Sequence, residues 1–105
     1  MSQPIKAFVY VEAQVSMPFE DYPWNKDNPD IRKQPGFISK TWLSGADNHS
    51  IGGFYAFDSL EHARQYATGF MAEKAKKLNI GITTRVFDAD RVTDASGEMN
   101  SPFFG

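Results

Sequence analysis

The chain contains no cysteine, which removes disulfides, thiolate nucleophiles and cysteine-held metals at once. No apolar run approaches the roughly 20 residues that span a bilayer. The start, Met1 to Lys6, has no apolar core of the kind a signal peptide needs. These absences favour the cytoplasm, although a cysteine-free chain is also compatible with export. Basic charge of one sign is missing too: 11 Lys and Arg are interspersed among 13 Asp and Glu, for a net charge of -2. Nothing here resembles the basic stripe that a phosphate backbone requires, so nucleic acid is not an expected partner. The two histidines, His49 and His62, fall in a turn and on a helix, at no usual metal-ligand spacing. No glycine-rich loop leads from a strand into a helix, and no Ser-His-Asp context appears. No metal and no dinucleotide cofactor are therefore expected.

Aromatic residues, by contrast, make up 14% of the 105 positions, nine of them phenylalanine. A chain of this length is expected to form one domain, 1–105, with an irregular tail from about 91. The aromatic excess fits a ligand pocket, a subunit interface, or simply a large core with an exposed tail.

Ile5 to Gln14 alternates, with Ile5, Ala7, Val9, Val11 and Ala13 on one face and Phe8, Tyr10 and Glu12 on the other. Bulk on both faces predicts a strand covered on both sides. From Val15 to Gln34, Pro18, Pro23 and Pro29 forbid one long helix. Asp27 or Asn28 is the expected cap of a short helix with Pro29 in its first turn. The large side chains of Phe19, Tyr22 and Trp24 must pack on something there, as a lid over the core or on a partner subunit. Phe37–Ser44 and 49–58 read as a hairpin around a polar turn. Strict alternation places Phe37 with Ser39 and Thr41, opposite Lys40 and Trp42. It places His49, Ile51, Gly53, Tyr55 and Phe57 together. Gly52-Gly53 marks a bulge or a close approach.

Asp58 followed by Glu61 fits a capping box opening a helix to about Leu78. Its apolar stripe runs through Leu60, Ala63, Ala67, Phe70 and Met71, and also through Lys74. Asn79-Ile80-Gly81 ends the helix, and 81–88 forms the last strand. Phe103 and Phe104 in the tail are expected to dock on a partner subunit. The order β-α-β-β-α-β predicts a ferredoxin-like α+β fold with an antiparallel sheet. One sheet face would be bare in a monomer, which a two-fold homodimer would cover.

Several of these residues fall in a pattern that resembles the YdhR-like monooxygenase family. They are Pro18-Phe19, Pro35-Gly36-Phe37, Lys40 with Trp42, Asn48-His49, and Gly52-Gly53 with Tyr55 and Phe57. Ala63, Tyr66 and Val86-Phe87-Asp88 complete the pattern, which spans about residues 8 to 90. The resemblance implies a dimeric α+β barrel with a pocket between sheet and helices in each subunit. It further implies oxidation of a small aromatic or polyketide-like substrate by O2, without metal or flavin. The proline-broken segment 15–34 departs from the family's more regular helix and leaves the substrate open.

Such chemistry needs a substrate that becomes an electron-rich anion, a base, and a dry site that stabilises the anion. His49 is the candidate base; its alternative is a turn histidine hydrogen-bonded across the hairpin. Trp42 is the candidate stacking and N–H donor residue, and Tyr55 the candidate donor to a substrate oxygen; core packing is the alternative for both. Lys40 and Arg85 are candidate cations for an enolate or phenolate, with solvated surface positions as the alternative. Tyr22 and Trp24 are candidate lid residues, and Phe37, Phe57 and Tyr66 candidate pocket walls. The same groups would also serve a non-oxidative isomerase, dehydratase or cyclase, or a small-molecule-binding stress protein without catalysis.

Overall fold

In a computed structural model, residues 4–15 and 17–104 are described. Met1–Gln3, Ser16 and Gly105, the last residue of the tail, lie outside the described residues. Four strands, β1 (Ala7–Gln14), β2 (Phe37–Ser44), β3 (Ser50–Phe57) and β4 (Ile82–Asp88), form one sheet in the order β2-β3-β1-β4. Every neighbouring pair is antiparallel. Helix α1 (Trp24–Arg32) follows β1, and α2 (Leu60–Gln65) and α3 (Met71–Leu78) follow β3. This is the ferredoxin-like α+β arrangement that the element order predicts.

The alternation of β1 divides the interior. Ala7, Val9 and Val11 face the helices and join Tyr55, Phe57, Ile31, Ala63, Tyr66 and Met71 in the main core. Phe8 faces away and forms a second cluster with Ala56, Phe54 and Ala89. Phe103 and Phe104 pack on that cluster, each edge-on to Phe8, at 5.5 and 5.8 Å between ring centroids. The tail phenylalanines are thus seated on their own chain's sheet. The tail also contains a short helix, α4 (Thr93–Glu98), where composition suggests irregular chain. Glu12, the carboxylate among the aromatics of β1, is held by the Tyr10 hydroxyl at 2.7 Å and the Gln14 amide at 2.9 Å, both on its own face.

Three local departures from the sequence expectation have physical causes. The bulge lies in β2 rather than at Gly52-Gly53: Phe37 pairs with Phe57 while Ser39 pairs with Ala56, leaving Ile38 as the extra residue. One extra residue inverts the alternation, so Phe37 shares the helix-facing side with Lys40 and Trp42. Gly52 serves close approach, since a Cβ there would lie 1.9 Å from the Val11 carbonyl oxygen. At the second helix, Ser59 and not Asp58 is the cap, accepting from the His62 N–H at 3.0 Å. Asp58 instead meets His62 Nδ1 at 2.6 Å, one turn along. The helix is also interrupted by a π-helical turn, Tyr66–Phe70, between α2 and α3.

Candidate active site

The site lies at one end of the sheet, between β1–β3–β2 and the helices. Val11 and Ala13 of β1, Ile51 and Tyr55 of β3, Ile31 of α1 and Met71 and Ala75 of α3 give it apolar walls. The free volume is only about 40 Å³, room for a few water molecules. Lys40 and Trp42 project into it from β2. An outer cleft of about 150 Å³ adjoins, bounded by Asn28, Arg32 and Phe37. Ile31, Lys40 and Trp42 border both spaces, so these side chains form the partition between cavity and cleft.

Lys40 is the most distinctive group. Its Nζ lies 3.2 Å from the centroid of the Trp42 ring and 4.8 Å from that of Tyr55. Their π faces attract the ammonium. No carboxylate or hydrogen-bond acceptor among the described residues contacts it. Burial brings its pKa down to about 7, an effect opposed by the charge of Asp27 and reinforced by Lys74. The cation–π contact therefore holds an amine that changes charge near neutrality.

A polar cluster closes the α1 end. Asp27 accepts from the Tyr22 hydroxyl at 2.5 Å and from Lys74 Nζ at 2.7 Å. Burial, and then the hydrogen bond to Asp27, push the Tyr22 hydroxyl far above the ordinary phenol range. Tyr22 thus stays protonated and donates. The Trp42 indole N–H donates to Asn28 Oδ1 at 2.9 Å. Phe19 and Tyr22 flank the indole at 5.6 and 5.8 Å between centroids. Behind Tyr55, the Tyr66 ring stacks on Phe70 at 5.3 Å between centroids and stands tilted against Tyr55 at 4.8 Å and Phe57 at 5.2 Å. Burial raises the pKa of both tyrosines. The Tyr66 hydroxyl is buried without a partner among the described residues. No group of three or more His, Cys, Asp or Glu side chains among those residues is placed to hold a metal ion.

The family model described as "Putative mono-oxygenase ydhR" matches residues 23–98, from the start of α1 through α4. The chain belongs to the ydhR family. Among solved structures, it is similar to the crystal structure of a monooxygenase from the gene ActVA-Orf6 of Streptomyces coelicolor in complex with nanaomycin D. The TM-score is 0.59 at 19% identity, covering 81% of this chain and 88% of that one. At that identity the likeness establishes the shared fold. A search among curated proteins finds no match.

Within this ydhR-family chain, the expected site residues divide. Lys40, Trp42, Tyr55 and Tyr22 meet at the cavity, and Phe37 borders the outer cleft. Phe57 is fully buried and Tyr66 nearly so, both behind the cavity wall. His49 is exposed in the β2–β3 turn, one residue before β3 begins, and does not border the cavity. Trp24 is 44% exposed at the start of α1, away from the cavity. Arg85 is exposed opposite Tyr10, on the sheet face that points away from the helices. Asp27, Asn28 and Lys74 join the site from positions where they read as helix caps or as part of a stripe. The helix α1 begins at Trp24 and carries Pro29 inside it, so Asp27 and Asn28 sit within the helix, Asp27 reaching the cavity and Asn28 the outer cleft.

Proposed function

We propose that this protein is a cofactor-independent monooxygenase acting on a small aromatic compound with an acidic O–H or benzylic C–H. The observation that carries the reading is the Lys40 amine, poised near neutrality in an aromatic-walled cavity within the segment matched by the family. Neutral Lys40 takes the substrate proton. The resulting ammonium, with the Tyr55 hydroxyl as donor, stabilises the phenolate or enolate. The anion gives an electron to O2, the two radicals combine to a peroxide, and loss of water leaves a carbonyl. The overall change is one CH2 and one O2 to one C=O and one H2O, with no external reductant. Entry requires Trp42 to leave Asn28 and Lys40 to swing aside, because the resting cavity is smaller than any aromatic ring system. Burying the substrate there removes water from the charged transition state.

We further propose a homodimer through the sheet face that bears Phe8. The support is Phe87, 46% exposed on β4 opposite Phe8, which the tail phenylalanines leave open to solvent. Nucleic acid and membrane have no place in this reading: among the described residues, no helix is long and apolar enough to cross a bilayer.

The test is dissolved-oxygen uptake with naphthols and anthrones in the presence of a metal chelator. One O2 consumed per product formed is the expected result. Conversion that proceeds unchanged without oxygen would move the same acid–base groups to an isomerase, dehydratase or cyclase. Tight binding without turnover across the panel would leave a binding protein.

A further inference from the structure

We propose that Lys40 is also a carbonyl-capturing residue, forming a reversible imine with small hydrophobic aldehydes that enter through the outer cleft. The inference goes beyond the oxygenase reading and does not depend on it, since it needs only the cavity and the amine.

Three features of the site support it. First, the Lys40 stem crosses the sheet over Gly53, where a Cβ would come within 2.5 Å of Lys40 Cε. The missing side chain is what lets the amine lie inward. Second, among the described residues the Lys40 amine meets only aromatic faces, Trp42 at 3.2 Å and Tyr55 at 4.8 Å. The nearby carboxylate, Asp27, is already engaged by Tyr22 and Lys74. An amine without a carboxylate partner in an apolar site is the arrangement that activates lysine toward carbonyls. Third, Lys40 borders both the cavity and the cleft, so a carbonyl arriving from outside meets it before any other nucleophile.

The chemistry balances without a further reagent. The neutral amine adds to the carbonyl carbon, and the carbonyl oxygen becomes the hydroxyl of a carbinolamine. That hydroxyl takes a proton and leaves as water, forming the C=N bond as an iminium, which returns a proton to the donor and becomes the neutral imine. Lys74, an ammonium on the opposite wall held by Asp27, is the nearby acid for this step. No electrons are exchanged with any other group. The outer cleft of about 150 Å³ beside the amine limits the ligand to one or two rings or a short chain.

Benzaldehyde with sodium cyanoborohydride at pH 7 is the direct probe, read by intact mass and peptide mapping of the full chain. Reduction converts each imine to a stable benzylamine, so every captured lysine gains one benzyl group. The expected result is preferential labelling of Lys40, at least tenfold faster than the exposed Lys6, Lys26 and Lys33. Mapping separates it from the α-amino group, whose ordinary pKa of about 7.7–8.0 also makes it reactive. Lys40→Arg should remove that adduct alone, and 2-naphthol should protect Lys40 while leaving surface lysines unchanged. Labelling spread over the surface lysines with no preference for Lys40 in the wild-type protein would overturn the proposal, whatever the folding of the variant. Because no oxygen is involved, labelling at Lys40 without oxygen uptake would remove the oxygenase reading and leave this one standing; the reverse result would do the opposite.

Discussion

Lys40 and Trp42, two residues apart on β2, stack so that the amine sits 3.2 Å from the centre of the indole. The aromatic face keeps the ammonium tolerable inside an apolar cavity, while burial still brings its pKa to about 7. Each member of the pair makes a different measurement informative.

For Lys40 the measurement is pH. Its folded-state pKa lies below the unfolded value of 10.5. The unfolded chain therefore binds the extra proton between about pH 7 and 10.5, and stability rises with pH across that window. Below pH 7 both states are protonated and the full desolvation cost is present. Lys40→Met should therefore stabilise the fold at pH 6–7 by roughly 1–3 kcal/mol, after allowing for solvent screening and the lost cation–π contact. The gain should fade toward pH 10. Denaturant unfolding of both proteins at pH 6, 8 and 10 checks this. On the proposed oxygenase reading, turnover by the wild-type protein should also rise through an apparent pKa near 7, and Lys40→Met should reduce turnover by about 10²-fold or more, the usual contribution of a general base.

For Trp42 the measurement is fluorescence. Trp24 is exposed, whereas Trp42 lies under Lys40 and between Phe19 and Tyr22. In Trp24→Phe the remaining emission should be blue-shifted, poorly quenched by acrylamide and changed by a bound naphthol. In Trp42→Phe it should be red-shifted, readily quenched and indifferent to ligand. The opposite assignment would show that the indole of Trp42 is not at the cavity.

The two adjacent glycines of β3 should respond differently to alanine. At Gly52 a Cβ would strike the Val11 carbonyl oxygen, a backbone atom of the neighbouring strand. Gly52→Ala should cost about 3 kcal/mol, the upper end of the overpacking range. At Gly53 the nearest atom is the flexible Lys40 Cε. Gly53→Ala should keep most of its stability and instead displace the lysine, lowering activity more than it lowers the melting temperature.

The sheet face carrying Phe8 and Phe87 bears on assembly. Sedimentation of the wild-type protein should give twice the chain mass of 11.8 kDa. Phe87→Asp should shift it toward the monomer without loss of secondary structure by circular dichroism, because Phe87 is outside the main core. A wild-type monomer at micromolar concentration would overturn the homodimer.

Strand alternation and the helix stripe carried most of the fold into view, because both sheet faces of β1 and the core face of the long helix are apolar over several turns or residues. Lys40 and Trp42 were legible as a pair for the same reason, being two residues apart on one strand. Tyr55 joined them only once the strand register was known. His49 illustrates the limit of alternation: it continues the pattern of β3, yet the strand begins one residue later and the side chain is left in the turn. Asp27 and Asn28 were hidden by their composition, since Asp and Asn before proline read as caps, whereas α1 starts earlier and carries Pro29 within it. Lys74 did leave a signal. A lysine on an otherwise apolar helical stripe must either reach solvent or find a buried partner, and here Asp27 supplies that partner.

Ile38, the extra residue of β2, decides where this strand can change length. Deleting Ile38 itself would leave the pairing of Phe37 with Phe57 and of Ser39 with Ala56 intact. Regular alternation would then keep Phe37, Lys40 and Trp42 on one side, because the bulge already supplies the odd residue. Deleting Thr41 would instead make Lys40 and Trp42 neighbours, which a strand sends to opposite faces. One of the two would then leave the cavity, whatever became of the bulge. The bulge is thus the place where β2 can lose one codon and keep its chemistry, while two residues further on the same loss separates the amine from the indole.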